Sequence, residues 1–170
     1  MINYSRSMSS IKQVSESNSA SQKRAAIISF RRAIPNDRAF LLTLRKTSMD
    51  ANLKAAGIYL NDHSHMQRID EFFSDSHIIL YQNNTIGLLK LGLFSDKIHL
   101  RQFQLLPAYQ GLGIGSRILG LVKRKAQEKQ LNITLNVLLN NPAKALYLRH
   151  DFVVIDSNEL EFQMRWQWLK

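Results

Sequence analysis

The sequence predicts an α/β protein built on a mixed sheet, and three observations carry that reading. Between residues 77 and 106 three runs of strand-forming residues follow one another with only short turns between them, the pattern of an antiparallel meander. At residue 116 the apolar period changes: Ile118, Val122 and Ala126 recur every four residues, as on the buried face of a helix. Another strand-like run, 132–139, follows that helix, so the helix is a crossover and the strands it joins should be parallel.

Taken in order, AAIISFRRA (25–33) reads as a first strand. Pro35, Asn36 and Asp37 then supply start signals for a helix near 35–48. Residues 50–75 look helical but weakly patterned, broken by GIYLNDHSH. HIILYQ (77–82) is a strand, Asn83 and Asn84 its turn, and TIGLLKLGLF (85–94) its hairpin partner. SDK (95–97) turns the chain into IHLRQFQLL (98–106), whose alternation gives a third antiparallel strand. The helix over 116–130 carries Arg117, Lys123, Arg124, Lys125 and Lys129 on its polar surface. NITLNVLL (132–139) is a strand, NPAKALYLRH (141–150) a short helix opened by proline, and FVVIDS with ELEFQMRWQWL a closing hairpin. Helices therefore cover the faces of one sheet, with neither an internal repeat nor a linker in the chain.

Composition narrows the class. The 170 residues are 45% apolar and 21% charged, the balance of a single water-soluble domain. With no cysteine, disulfides, thiolate metal sites and a cysteine nucleophile are excluded, and a reducing, cytoplasmic compartment is favoured. No apolar run approaches the ~20 residues needed to cross a bilayer. Residues 1–24 hold eight serines and a charge of +3, leaving +7 of the net +10 on residues 25–170. That start lacks the apolar core of a secretory signal; it reads as a solvated tail, with an organelle transit peptide as the alternative. A basic domain prefers phosphate-bearing partners, among them nucleic acid, anionic lipid and phosphorylated cofactors.

The stretch QGLGIGS (110–116) places three glycines at alternate positions just before the long helix. Glycine weakens a helix start by roughly 1 kcal/mol relative to alanine, so such a cluster marks a backbone that needs φ > 0 or a close approach. A P-loop would continue with lysine and then Ser or Thr, whereas Ser116 and Arg117 follow here. A dinucleotide fold would place GxGxxG after its first strand, with an acid about 20 residues on; this chain has GxGxG after a meander, and asparagines there. Two readings survive: uncovered amides at a helix N-terminus that cradle a pyrophosphate, or a tight connection that holds no ligand.

At these residues the sequence resembles the GNAT superfamily, the acyl-CoA-dependent N-acyltransferases. Gln110, Gly113 and Gly115 match that family's Q/R-x-x-G-x-G/A signature, and LLPAY before them is similar to its strand end. NNPAKALYLRHDF (140–152) resembles a second family segment, with Asn140, Ala145, Leu146, Tyr147 and Phe152 in register. The resemblance covers residues 25–170 and implies a GNAT-like fold, its mostly antiparallel sheet splayed between the fourth and fifth strands. It also implies acetyl-CoA as co-substrate and a primary amine as acceptor. The pyrophosphate would rest on the amides of Gln110, Gly111, Leu112, Gly113, Ile114, Gly115 and Ser116. Phe103 and Leu105 would offer main-chain groups to the pantetheine and the thioester carbonyl, where an N–H donor is worth up to a few kcal/mol. Asn140 would hydrogen-bond the pantetheine arm.

The implied chemistry asks for proton transfer. A primary amine with a pKa near 10 is neutral in about one molecule in 10³ at pH 7, a penalty of roughly 4 kcal/mol. Tyr147 stands where this family commonly has its general acid; the plainer alternative is an amphipathic core tyrosine of a short helix. Members often use a glutamate on one of the splayed strands, but neither 98–106 nor 132–139 contains a carboxylate. His99, expected on the same strand face as Arg101, Phe103 and Leu105, could accept a proton near neutral pH. A half-buried strand histidine and relayed water are the alternatives. Asp151 replaces the glycine the family usually has before its phenylalanine, which restricts φ at that turn.

Other features carry weaker signals. His63 and His65 lack a convergent third ligand, so no metal is expected. Phe162, Trp166 and Trp168 suit one face of a terminal strand, and Lys123, Arg124, Lys125 and Lys129 a solvated helix face. Asp62, Asp70, Glu71 and Asp75 could draw in a cationic amine. The exposed terminal hairpin would suit a homodimer. The rival function is a catalytically inactive, basic binding module for nucleic acid or a protein partner, supported by the missing carboxylate and the basic surplus.

Overall fold

In the computed structural model, which describes residues 27–169, the chain enters as β1 (Ile28–Arg32), makes a 3-10 turn and continues into α1 (Arg38–Ala55). After α2 (Asp62–Asp70) comes the meander of β2 (Ser76–Tyr81), β3 (Asn84–Leu93) and β4 (Lys97–Leu105). The crossover helix α3 (Ile114–Lys129) leads to β5 (Asn132–Leu138), α4 (Ala143–Arg149) and the hairpin β6 (Val153–Ser157) and β7 (Glu161–Trp166). The serine-rich stretch 1–24 lies outside the described residues. Among the described residues no helix is long and apolar enough to cross a membrane.

The sheet runs β1-β2-β3-β4-β5-β7-β6, antiparallel except for the parallel β4–β5 pair. Each face is closed by helices. On one, Ile118, Leu119, Val122 and Ala126 of α3 pack on Ile133, Leu135 and Val137 of β5. On the other, Leu41 and Leu44 of α1 and Ile69 of α2 cover Ile78 and Leu88. Each such side chain contributes ~1.5–3 kcal/mol by leaving water.

The helix expected at 35–48 begins later and runs further, because the apolar spacing continues to the buried Leu53. Gly57 stops it, at φ +75°, with its N–H donating to the Lys54 carbonyl and that of Ile58 to Leu53. That is the Schellman arrangement, which needs a left-handed residue just past the helix.

Two irregularities shape the middle of the sheet. β4 and β5 pair only from Lys97↔Asn132 to Leu100↔Leu135, beyond which they diverge. On the other side of β4, Lys90 opposes Gln102 while Leu91 opposes Leu100, so Arg101 is an extra, bulged residue. Side chains alternate along a strand, so one extra residue inverts the faces beyond it. Ile98, Leu100, Phe103 and Leu105 consequently all serve the α3 side. His99 therefore lies on the opposite face from Phe103 and Leu105, contrary to the unbroken alternation assumed from sequence.

Candidate active site

The divergence of β4 and β5 opens a cleft of about 510 Å³. Its walls include His99, Phe103 and Gln104 of β4, Asn136 and Leu138 of β5, Tyr147 of α4 and, across from them, Arg45 and Met49 of α1. The inner wall of the gap is polar main chain. Leu106 N–H donates to Ile86 O at 2.8 Å, so the even residues beyond the bulge bond to β3. With period two, the main-chain groups of Phe103 and Leu105 point the other way, into the gap. Gln110 Nε2 occupies the Leu105 carbonyl at 2.8 Å and so ties the glycine turn to the end of β4.

That turn ends at the mouth of α3. Gly113 is the N-cap, at φ +75°, and no side chain caps the helix there. Gly111 also has positive φ, and a side-chain carbon added at either glycine would meet open space. The amides of the first turn, Ile114 to Ser116, therefore keep the unpaired N–H groups that every helix start exposes. Leu112 projects into solvent, while Ile114 is buried and anchors the helix. Gly115 lies close to Leu146 and Phe103, so the helix mouth abuts both the cleft strand and α4.

Tyr147 is buried, its ring 5.7 Å from that of Phe152, and it lines the cleft. Burial pushes its pKa far above the usual phenol value, which keeps it protonated at neutral pH. His99 is half-buried, with Nδ1 2.9 Å from Thr134 Oγ1 of the neighbouring strand. Burial, then the charges of Arg101 and Lys97, hold its pKa below 6.5, while Glu161 pulls the other way. The imidazole is thus neutral at pH 7.

Asn140 is exposed in the turn after β5; its neighbour Asn141 lines the cleft and accepts from Ala143 N at 2.9 Å. Asp151 adopts φ +65°, the left-handed conformation that a glycine would take at no steric cost, and pairs with Lys123 at 2.9 Å. Lys123 also donates to His150 O, so it is a tie between α3 and α4 and not part of a solvated face. His63 is exposed while His65 is buried against Asp50, and Trp166 is in the core.

Several cleft residues were not anticipated. Glu161 reaches the wall because β7, and not β6, lies beside β5, with Glu161 opposite Leu138. Asn136 Nδ2 donates to its carboxylate. The hairpin was legible in the sequence, but nothing there says which of its strands pairs inward. Arg45 and Arg68, supplied by α1 and α2, also line the cleft, beside Glu71, which was expected as an acid for a cationic amine, and the bulged Arg101.

The sequence profile of the acetyltransferase (GNAT) domain matches residues 44–167. Solved structures of similar shape include a PaiA N-acetyltransferase from Thermoplasma acidophilum in complex with coenzyme A, at 20% identity over 84% of this chain and 99% of that one, TM-score 0.65. Naa50 of Arabidopsis thaliana, bound to the bisubstrate analogue CoA-Ac-MVNAL, is 16% identical over 83% and 99%, TM-score 0.62. An acetyltransferase from Thermus thermophilus is 15% identical over 82% and 96%, TM-score 0.68. No curated protein sequence matches the chain. With the glycine turn, the splayed pair and the α4 tyrosine in one place and the profile spanning most of the chain, this protein belongs to the GNAT acetyltransferase family.

Proposed function

We propose that residues 25–170 form an N-acetyltransferase that moves an acetyl group from acetyl-CoA to a primary amine by direct attack within a ternary complex in the cytoplasm. The observation that carries this reading is the uncapped start of α3 behind Gly113, lying against a cleft walled by Tyr147 and His99. Acetyl-CoA, when bound, supplies the activated thioester. The amides from Gly111 to Ser116 would hold its pyrophosphate, the expected Gln110 amide being taken by the Pro107 carbonyl at 3.1 Å. Phe103 and Leu105 would hold its pantetheine through main-chain groups, and Asn140 the same arm from the turn after β5. The gap between β4 and β5 leaves the main-chain groups of Phe103 and the N–H of Leu105 without a strand neighbour, as a ligand lying along β4 requires, while Gln110 holds the Leu105 carbonyl.

The protein's own part is proton handling and electrostatics. His99, neutral at pH 7, would take the proton of the acceptor ammonium, alone or through water. Tyr147 would deliver its proton to the departing sulfur. A main-chain N–H from Phe103 or Leu105 would face the carbonyl oxygen as negative charge builds there. No covalent enzyme intermediate is involved; the chain has no cysteine.

Thermal unfolding tests the reading. Acetyl-CoA at millimolar concentration should raise the Tm, through linkage of about 2.7 kcal/mol at a hundredfold excess over Kd. Gly113→Glu should abolish the rise by placing bulk and negative charge in the cradle. Gly113→Ala controls for the cost of φ +75° alone and should retain it. The absence of any shift in the wild type with any acyl-CoA would refute the assignment.

A further inference from the structure

The charges around the acceptor half of the cleft do not cancel. Four acids that could welcome a cationic amine are paired with cations, Asp62 with Lys46 at 2.6 Å, Asp70 with Arg38 at 2.7 Å, Asp75 with Arg101 at 3.0 Å and Glu71 with Arg68 at 3.2 Å, and a fifth, Glu161 on the cleft wall, accepts from Asn136 Nδ2. The cations of the cleft wall are engaged in turn. Lys90 donates to the carbonyls of Arg68, Ile69 and Glu71, and Arg101 also stacks on the Phe72 ring at 3.6 Å.

Arg45 is the exception. It is 7% exposed, lines the cleft from α1, and among the described residues its guanidinium makes neither a hydrogen bond nor an ion pair; its Nε is buried with no partner at all. Asp50 and Glu71 act on it only from longer range, one bound to His65 and the other to Arg68, while Arg68 repels it. An arginine cannot shed its proton to escape this position, and a buried, unpaired guanidinium costs the fold free energy. Its planar fork is shaped for a carboxylate.

We propose that Arg45 is the acceptor-binding residue of the cleft, and that the acceptor is an amine carrying a carboxylate, an amino acid rather than a polyamine. The inference rests on the acetyltransferase reading for the chemistry that follows binding, but the anion site stands on Arg45 alone. In the complex the acceptor's carboxylate satisfies the guanidinium, and its amino group remains for His99. Lys90, whose ammonium Arg45 repels, gains from the same neutralisation.

Matched acceptors test it. Thiol release from acetyl-CoA is measured with L-amino acids and with their C-terminal amides, and with putrescine as a dication. The acids should exceed their amides at least tenfold in kcat/KM, and Arg45→Met should erase that ratio while Arg45→Lys keeps part of it. A second arm needs no turnover. In the protein without acetyl-CoA, sodium sulfate should raise the Tm of the wild type more than that of Arg45→Met at equal ionic strength. Arg45→Met should itself melt higher than the wild type without anions, because a buried unpaired charge has gone. Equal use of acids and amides, a preference for putrescine, a ratio that survives Arg45→Met, or a sulfate response identical in both proteins would each overturn the proposal. If acetyl-CoA fails to shift the wild type while sulfate still distinguishes the two proteins, the acyltransferase reading fails and the anion site remains.

Discussion

Tyr147 and His99 face the same cleft with opposite protonation, and the cause is local in each case. A phenol forced out of water holds its proton; an imidazole forced out of water beside two cations gives its proton up. Tyr147→Phe should lower kcat by roughly 10²-fold or more and leave coenzyme A affinity nearly intact, since the ring still packs on Phe152. Unchanged turnover would remove the acid role. As the proposed base, His99 would act in its neutral form, so activity should fall as pH falls through its folded pKa. The acid limb of the kcat/KM profile should lie below 6.5. Glu161→Gln should move it lower still, because that carboxylate is the influence that raises the histidine. A limb at or above 6.5, or one untouched by His99→Gln, would clear His99 of the task. Tyr147 and the glycines could be singled out from the sequence because they sit in local motifs. Arg45 and Glu161 were not, because what distinguishes them is a distant neighbour present or absent, and spacing along the chain does not carry that.

At the scale of elements, the least patterned stretch of the sequence turns out to be tied down by polar groups more than by an apolar stripe. α2 is nine residues long, too short to persist alone. Its start is held by Asn61, whose side chain accepts from Ser64 N at 2.8 Å, and its end by Lys90 from β3. Burial lowers the Lys90 pKa to about 8, yet three carbonyl acceptors and the helix C-terminus surround it. Lys90→Met should keep the packing of the stem and orphan those carbonyls, lowering stability by about 2–4 kcal/mol in urea titrations. An unchanged midpoint would show that water replaces the ammonium freely. In the sequence, Lys90 is one residue of the strand run TIGLLKLGLF, with nothing to mark it. A lysine buried on a central strand is intelligible once the end of a helix is known to lie above it.

For the whole molecule, the order and relative direction of the elements followed from period changes and turn residues, which act over a few residues. The bulge and the inward placement of β7 are decided by contacts between distant segments, and neither was visible beforehand. The surplus of +10 is likewise a global property. It should draw a polyphosphate toward the mouth of α3 from a distance, so coenzyme A affinity should fall severalfold as salt is raised from roughly 0.05 to 0.5 M. Calorimetry showing a salt-independent Kd would confine the attraction to direct amide contacts. The supernumerary Arg101 has a broader consequence. Relatives that dropped or gained a residue in that strand would show their substrates the reverse side of everything downstream, so insertions there are a more abrupt route to new specificity than any exchange of side chains.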